Sequence, residues 1–374
     1  MSLISGGFSL IRFKLGSKIG PETLLKGLQT FKANDVLTAE KNESFGWASG
    51  QNFLDTKFTA DKISIGSYFL FSFRLSSKKV PANLIRAHCQ QEELQVLKDS
   101  KKEYLSRFEK SEIKADIKTR LLEEQPIEYK AYDCLLDSRN GVLYFTGTSK
   151  RIITEFIRLF EFSFSMTPLL LDAVGLGSIV LTATNFKALK RSNPSWFSPL
   201  KGEIDSGMPL EEYLGPDFLT WVWYQLEQEQ AEFEVNKEKV SLVFEEFLFL
   251  KNPFSGPQES MENTIKDGVP TLCPEATAAL YCGKKLYQSK VLAVIGENIW
   301  SFRFDGSRMS FSGIKLPSIE EEHEDDVLIE RFEKINELTD IMDAVYLHFL
   351  EEYLSDDWEK VVEKMRKWIK AKKA

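Results

Sequence analysis

A two-residue turn signal, Asn140-Gly141, separates two strand-like segments and places the strongest constraint on the fold of this chain. Asn-Gly is the pair that tight β-hairpins prefer, because both turn residues adopt positive φ at low cost. The surrounding segment 128–147 is therefore predicted to form a β-hairpin. A second segment, ISIGSYFLFSFRL at 63–75, carries large apolar residues at alternate positions, which predicts a strand or hairpin with one buried face.

Charged sequence with helical spacing lies between these two strand regions. It follows Pro81, ends before Pro126, and is predicted to form a long helix in two parts with a break near Ser111. The apolar stripe of its first part consists of Leu84, Ala87, Leu94, Leu97, Leu105 and Phe108. Another amphipathic helix is predicted over 149–162. Strand, long helix, hairpin and helix together predict an α+β fold with largely antiparallel sheets.

The chain is predicted to divide into three parts. Residues 1–180 form an N-terminal α+β region with the long helix and the hairpin, and residues 181–320 form a second α+β region with a Trp-rich helix. Residues 321–374 form a C-terminal helical segment, with predicted helices at 327–354 and 356–372. Two stretches are predicted as loops, SFGWASG at 44–50 and the segment 185–210.

The charge of the chain is negative overall but unevenly distributed. Its formal net charge of −8 excludes a protein coated with positive charge on every side, yet phosphate binding depends on the field at one surface. Residues 318–330 hold seven acids and no Lys or Arg, whereas residues 173–202 hold four basic residues and no acid. Six basic residues lie between Lys284 and Lys315, and seven lie in the last sixteen residues. Each run, taken alone, is typical of a solvated face.

Aromatic residues are concentrated in LGPDFLTWVWYQLEQEQ, residues 214–230, which is predicted to be a helix. Residues that stack on bases stand on exposed surfaces with basic neighbours, but residues 217–230 hold three acids and no Lys or Arg. Trp221 and Trp223 are therefore interpreted as core or dimer-interface residues. Trp196-Phe197, near Lys187 and Lys190, is the better candidate for stacking.

Catalytic and cofactor motifs are weak. The three histidines are far apart, and there is no phosphate-binding GxxxxGK[ST] or GxGxxG loop and no GxSxG elbow, so no cofactor is predicted. A Mg²⁺-dependent nuclease uses a carboxylate close to a lysine. The acid-x-Lys pattern occurs at Asp55-Lys57, Asp99-Lys101, Glu112-Lys114, Asp116-Lys118 and Glu128-Lys130. With 56 acids in the chain, chance accounts for these copies, so catalysis is not favoured.

Targeting signals are also weak. The longest apolar candidate is interrupted by Pro168 and Asp172, so no transmembrane span and no membrane association are predicted. The four cysteines show no CxxC spacing, which favours a cytoplasmic protein with reduced thiols.

The order of these features resembles the recombination-associated RdgC family over roughly residues 8–172. The resemblance is carried by Gly46-Trp47, SKKVPANLIRAHCQQEELQVLK, FEKSEIKADIKTRLL, the hairpin YDCLLDSRNGVLYFTGTSKR and a helix leading to TPLLL. Its most specific parts are Glu109-Lys110 with Ile113-Lys114, and Ser149-Lys150-Arg151 after the hairpin. The Trp-rich FLTWVWYQLE resembles what longer members of the family carry.

The resemblance implies a non-enzymatic, nucleoid-associated protein that binds double-stranded DNA with little sequence preference. Family members form a ring-shaped homodimer with a basic central hole and limit the access of RecA to DNA, although an exonuclease label also accompanies the family. Two alternatives stay open. One is a Mg²⁺-dependent exonuclease, and the other is a dimeric scaffold protein that does not bind DNA.

The candidate DNA-binding residues come from two sources. Position in the family pattern implies Lys78, Lys79, Arg86, Lys150 and Arg151. The basic runs alone add Lys187, Lys190, Arg191, Arg303 and Arg308. One segment departs from the family: the tip before the hairpin, basic and aromatic in the relative compared, reads LLEEQPIEYK here and carries Glu123, Glu124 and Glu128.

Overall fold

The computed structural model describes residues 2–35, 42–202, 207–228, 233–235, 237–253, 262–321 and 323–373. Its strands are β1 Phe8–Lys14, β2 Glu43–Ser49, β3 Ser64–Ile65, β4 Tyr68–Ser77, β5 Glu128–Asp137, β6 Val142–Phe145, β7 Leu169–Leu170, β8 Phe233–Val235, β9 Glu238–Lys251, β10 Glu262–Lys266, β11 Lys285–Ile295, β12 Asn298–Asp305 and β13 Ser310–Lys315.

The α-helices lie singly or in groups between these strands and after the last of them. They are α1 Pro21–Thr30, α2 Ala60–Ile63, α3 Ala82–Ser100, α4 Arg107–Glu124, α5 Lys150–Phe164, α6 Ala173–Val180, α7 Ala183–Leu189, α8 Leu210–Leu226, α9 Pro274–Tyr281, α10 Glu324–Tyr353 and α11 Trp358–Lys373, with one 3₁₀ turn at Pro270–Leu272. The predicted C-terminal helical pair is confirmed as α10 and α11, with boundaries that differ by up to three residues.

One sheet runs through the described part of the chain. Its strand order is β10-β9-β11-β12-β13-β1-β6-β5-β4-β2, with β3, β7 and β8 added beside β4, β1 and β9. Every pairing between these strands is antiparallel. The predicted α+β class with a largely antiparallel sheet is therefore confirmed. The division into three parts stays a prediction.

Helices cover the N-terminal strands on both faces. On one face, α1 and α5 enclose an aromatic core in which Trp47 meets Phe71 and Phe156 edge to face. On the other face, α8, α10 and α11 form the larger core against strands from both halves of the chain. Strand β4 lies between the two layers and is buried along its whole length. The prediction of one buried face for this strand was wrong, because a second helical layer covers the other face.

Local sequence explains several element boundaries. The predicted hairpin at 128–147 is confirmed as β5 and β6, and Gly141 adopts a φ of 62° in the turn. Helix α5 begins after Ser149, whose hydroxyl accepts a hydrogen bond from the Ile152 amide. At the start of α4, Ser106 and Glu109 form a reciprocal capping box.

Helices α3 and α4 form an antiparallel helical arm between β4 and β5. They pack mainly on each other around a small core of Cys89, Ile117 and Leu121. The sequence predicted a break near Ser111, but the helices separate at residues 101–106, where the Ser106 cap starts α4. The predicted apolar stripe was also wrong in part, because Leu94 and Phe108 are exposed. The arm extends about 28 Å from its base, since nineteen residues of α3 rise 1.5 Å each.

Two predicted loops contain regular structure. SFGWASG belongs largely to strand β2, in which Gly46 approaches the backbone of Ala33 so closely that a side chain would not fit. Helix α7 occupies the start of the stretch 185–210. Both errors have one physical cause. Polar and glycine-containing segments have the composition of loops, but contacts with residues distant in the sequence can give them regular structure.

Candidate nucleic-acid interface

Lys78 and Lys79 lie where β4 ends and the helical arm begins. The amide of Lys78 donates a hydrogen bond to the carbonyl of Asn42 at 2.9 Å, which continues the pairing of β4 with β2. Its ammonium group donates to the carbonyl of Glu123 at the base of the arm, at 3.1 Å. Lys79 is exposed. These contacts fix the backbone of the pair beside the start of β2 at Glu43.

Lys150 and Arg151 form the first turn of α5. Arg151 reaches Glu43 with a nitrogen–oxygen distance of 2.6 Å, and its guanidinium lies 5.9 Å from the ring of Phe45. The Arg151 side chain is still 52% exposed. Because Glu43 on β2 also lies opposite Ser77, the residue before Lys78, it brings the helix start and the arm base to one end of the sheet.

Arg308 joins the same surface from the C-terminal half of the chain. It lies in the turn between β12 and β13, and its guanidinium donates to the carbonyl of Thr148 at 3.4 Å. Thr148 is two residues before Lys150. The sheet end therefore carries a basic rim, defined here as Lys78, Lys79, Lys150, Arg151 and Arg308. Its acidic neighbours are Glu43, which pairs with Arg151, and the exposed Glu123 and Glu128 beside Lys78.

Arg86 lies on the arm, outside the basic rim. With Lys110 and Lys114 it lines a groove of about 430 Å³ between α3 and α4, where Cys89 forms part of the floor. Glu93 also lines the groove and pairs with Lys110 at 3.4 Å. The sequence prediction missed Lys110 and Lys114 as neighbours of Arg86, because the antiparallel pairing of the two helices depends on where the chain turns.

The other four predicted residues lie apart from the rim. A short basic group lies at the end of α7 and consists of Lys187, Lys190 and Arg191. The ammonium group of Lys190 lies 4.7 Å from the centre of the Phe186 ring. Arg303 stands on β12 with its guanidinium 3.8 Å from the ring of Phe247. In the described residues, none of these four makes a contact with a member of the basic rim.

The free end of the arm combines basic and aromatic side chains, which the sequence prediction did not single out. Tyr104 is 79% exposed and Phe108 is 71% exposed, and the turn between the helices also carries Lys101 and Lys102. The ammonium group of Lys102 donates a hydrogen bond to the Glu109 carboxylate at 2.5 Å. This bond, together with the hydrogen bonds that Ser106 donates, lowers the pKa of Glu109 to about 2. The cap at the arm tip therefore stays ionised at neutral pH.

The acidic segment LLEEQPIEYK is not at this tip. Leu121 and Leu122 are buried at the base of the arm, and the Glu123 carbonyl accepts the hydrogen bond from Lys78. The sequence-based assignment of this segment to the tip was wrong, because the arm turns at residues 101–106 instead.

The Trp-rich helix α8 is inside the protein. Trp221 and Trp223 have no exposed surface, and their indole N–H groups donate to Glu352 and Glu227. Base stacking by these rings is excluded in this conformation, and their interpretation as core residues is confirmed. Phe197 is also buried, and the Trp196 indole donates to the Leu200 carbonyl at 2.7 Å.

Acidic side chains offer no obvious metal centre in the part of the chain that the structure describes. There, no group of three or more His, Cys, Asp or Glu side chains is placed to hold a metal ion. Glu128 and Lys130, one of the acid-x-Lys pairs, are exposed near the start of β5. None of the described helices is both long and apolar enough to cross a membrane.

Comparison with known proteins gives one family match. Residues 9–175 match the model of the family described as "Putative exonuclease, RdgC". A search of curated proteins found no matching relative. The matched region contains the basic rim except Arg308, the whole helical arm and the hairpin, and it coincides with the region that resembles RdgC proteins in sequence. The match covers somewhat less than half of the chain, and over that region it supports an RdgC-family assignment and, at a coarse level, a recombination-associated protein.

Proposed function

We propose that this protein binds double-stranded DNA without sequence specificity, as a ring-forming homodimer, and modulates RecA-dependent recombination by limiting the access of RecA to DNA. The proposal extends the coarse family assignment to a binding mode, an assembly and a competitor. It treats the protein as a DNA-binding protein without catalytic activity.

The basic rim is the observation that carries the proposal. Four of its members come from the family-matched region, and their sequence positions differ by as much as 73 residues, yet they lie at one end of the sheet with Arg308. Lysine and arginine on such a surface contact phosphates, which fixes the position of the duplex but reads no sequence. A rim of this composition therefore favours non-specific binding.

The negative net charge is compatible with this binding mode. Acids lie beside the rim, at Glu43 and at Glu123 and Glu128 of the arm base, and also elsewhere, for example at the start of α10, which begins Glu-Asp-Asp. Affinity for DNA follows the local field and the number of phosphates contacted, so it falls steeply with added salt.

The arm tip supports the homodimer. A protruding element that exposes two aromatic rings at its end is typical of a protein–protein contact, because such rings bury a large apolar area at low entropy cost. The tip lies beyond β4 and β5, near one end of the sheet order, and β10 lies at the other end. Two protomers that touch at both ends enclose a hole, which supports the ring.

The decisive experiment is a gel shift with purified protein and a linear duplex of arbitrary sequence, titrated from low to high salt with and without Mg²⁺. Binding that weakens steeply with salt and leaves the DNA intact supports the proposal. Shortened DNA only in the presence of Mg²⁺ favours the exonuclease instead. A dimer with no DNA affinity at low salt favours the scaffold.

Neutralising Glu43 is expected to strengthen duplex binding. Glu43 forms an ion pair with the guanidinium of Arg151. The substitution Glu43→Gln breaks this pair and removes from the rim one negative charge that repels DNA phosphates. We expect the affinity at low salt to rise about two- to threefold, less than one full phosphate contact provides. A matched control is Glu359→Gln on the exposed side of α11, which changes the net charge equally. An equal rise in both variants would assign the effect to net charge.

A further inference from the structure

Strand β10 is the last strand at one end of the sheet order among the described residues. Its inner edge pairs with β9 from Glu262 opposite Lys251 to Lys266 opposite Phe247. Among the described strands, none pairs with its outer edge. An edge strand presents a row of free backbone N–H and C=O groups and is a template for another strand.

The sequence of β10, Glu-Asn-Thr-Ile-Lys, has opposite charges at its two ends. An antiparallel copy centred on Thr264 places Glu262 opposite Lys266 of the second copy, and Lys266 opposite its Glu262. Glu262, Thr264 and Lys266 are exposed and alternate along the strand, so they share one face. The strand is thus complementary to itself in both backbone and charge.

We propose that β10 is a self-complementary docking strand that pairs with β10 of a second copy of this chain around a two-fold axis through Thr264. This inference rests on the homodimer of the proposed function and deepens it by naming one contact. In such an isologous contact the same residues meet twice, so each favourable charge pair counts twice. The neighbouring Lys251, 3.6 Å from Glu262, adds a further positive charge beside each pair.

Charge selects this register over its alternatives. The pairing centred on Thr264 aligns all five residues and both opposite-charge pairs. A shift by two residues leaves both charged ends without a partner of opposite sign on the strand. A shift by four brings two glutamates or two lysines together, and like charges directly opposite are destabilising. A shift by one reverses which face each side chain occupies.

The two-fold axis also determines how the protomers face. An antiparallel pairing of identical edges has its axis perpendicular to the sheet, so the same face of both sheets lies on the same side. In each protomer that face carries Lys290, Arg303 and Lys315, with Glu245 and Glu246 beside Lys290. The contact therefore joins two equivalent mixed-charge faces into one continuous surface.

A charge-swap series in the full-length chain tests the interface by analytical ultracentrifugation over a range of protein concentrations. Glu262→Lys places two lysines opposite each other at both ends of the contact, and Lys266→Glu does the same with two glutamates. Each single variant is expected to raise the dimer dissociation constant at least about tenfold. The double variant E262K/K266E restores opposite charges and is expected to dimerise within about threefold of the unmodified chain.

A mixture of the two single variants provides the sharpest outcome. The E262K chain then offers two lysines to two glutamates of the K266E chain, so a heterodimer should form where neither variant dimerises alone. Recovery in the mixture supports the strand pairing, and no recovery overturns it. Lys315→Glu on β13, four strands from the edge, is the matched charge control and should leave dimerisation unchanged.

The same series separates this inference from the proposed function. If the dimer dissociation constant is unchanged by every β10 substitution, the docking strand is overturned. The homodimer then remains, with the arm tip as its contact. A monomer at all concentrations overturns both. Thermal unfolding of each variant shows whether the fold is retained. If Lys266 instead serves only to prevent edge-to-edge pairing, Lys266→Glu should promote association, and that result would contradict the docking strand.

Discussion

Reversing four charges of the basic rim, in the variant K78E/K79E/K150E/R151E, is expected to weaken duplex binding by about two orders of magnitude at moderate salt. Each lost phosphate contact removes the release of a condensed counterion, which lowers the slope of log affinity against log salt by about 0.9. Four contacts therefore predict a slope that is smaller by about 3.6 units. The measurement is the affinity for a linear duplex at several salt concentrations, for the variant and the unmodified chain.

A second basic surface provides the control. Lys360, Lys364, Lys367 and Lys370 form an exposed stripe on α11, and reversing all four takes the net charge from −8 to −16, as the rim variant does. Unchanged affinity in the α11 variant assigns the loss to the rim. Equal losses in both variants would show that net charge governs binding. A larger loss in the α11 variant would move the interface to the C-terminal helix.

The rim variant also needs a test of folding. The change Arg151→Glu at the start of α5 places a carboxylate against Glu43 of β2, so local repulsion adds to any loss of binding. The neutral variant K78Q/K79Q/K150Q/R151Q removes the same contacts without creating this repulsion. Its melting temperature is expected to stay within a few degrees of that of the unmodified chain. Its decrease in the logarithm of DNA affinity is expected to be about half of the decrease in the charge-reversed variant.

Local signals in the sequence predicted the elements that depend on neighbouring residues. The Asn140-Gly141 turn, the amphipathic helix after Ser149 and the buried Trp221 helix all follow from spacing within one or two turns of chain. The sequence resemblance over 8–172 likewise agrees with the family match over 9–175. These features required no knowledge of which strand pairs with which.

Features that depend on long-range pairing could not be predicted. Glu43 and Arg151 are 108 positions apart, and only the pairing of β2 with β4 brings Glu43 beside the start of α5. The turn of the arm was misplaced for a related reason: the capping box at Ser106, rather than apolar periodicity, determines where α4 begins. The basic rim is therefore a property of the fold, although its members were identified from the sequence.

The basic run from Lys284 to Lys315 shows the limit of charge patterns most clearly. In the sequence, the run that contains Lys285 is typical of a solvated face. In the structure its side chain is 2% exposed and pairs with Asp217 of α8, which is fully buried. The Asp217 carboxylate also accepts a hydrogen bond from the amide of Ser195 at 2.9 Å. This lysine holds α8 against β11 and contributes no charge to any surface.

Removing this buried lysine is expected to cause a large loss of stability. In the variant Lys285→Met the side-chain volume is nearly kept, but Asp217 loses the cation that compensates its burial. Breaking one partner of a buried ion pair costs about 3–5 kcal/mol of unfolding free energy, because the remaining charge is desolvated and unpaired. Chemical denaturation at neutral pH measures this loss. A variant within about 1 kcal/mol of the unmodified chain would contradict the buried pair.

The pH dependence of the same variant identifies the cause. Burial raises the pKa of Asp217 even with Lys285 present, and removing the lysine raises it further. A carboxyl group whose pKa is higher in the folded state binds more protons when folded, so the stability of Lys285→Met should fall as pH rises from about 4 toward neutrality. The double variant D217N/K285M removes the charge while the amide side chain introduced at position 217 still accepts from the Ser195 amide, so it should regain most of the stability and lose this pH dependence. A deficit that persists in the double variant at every pH would instead indicate lost packing around α8, since neither substituted side chain can respond to protons.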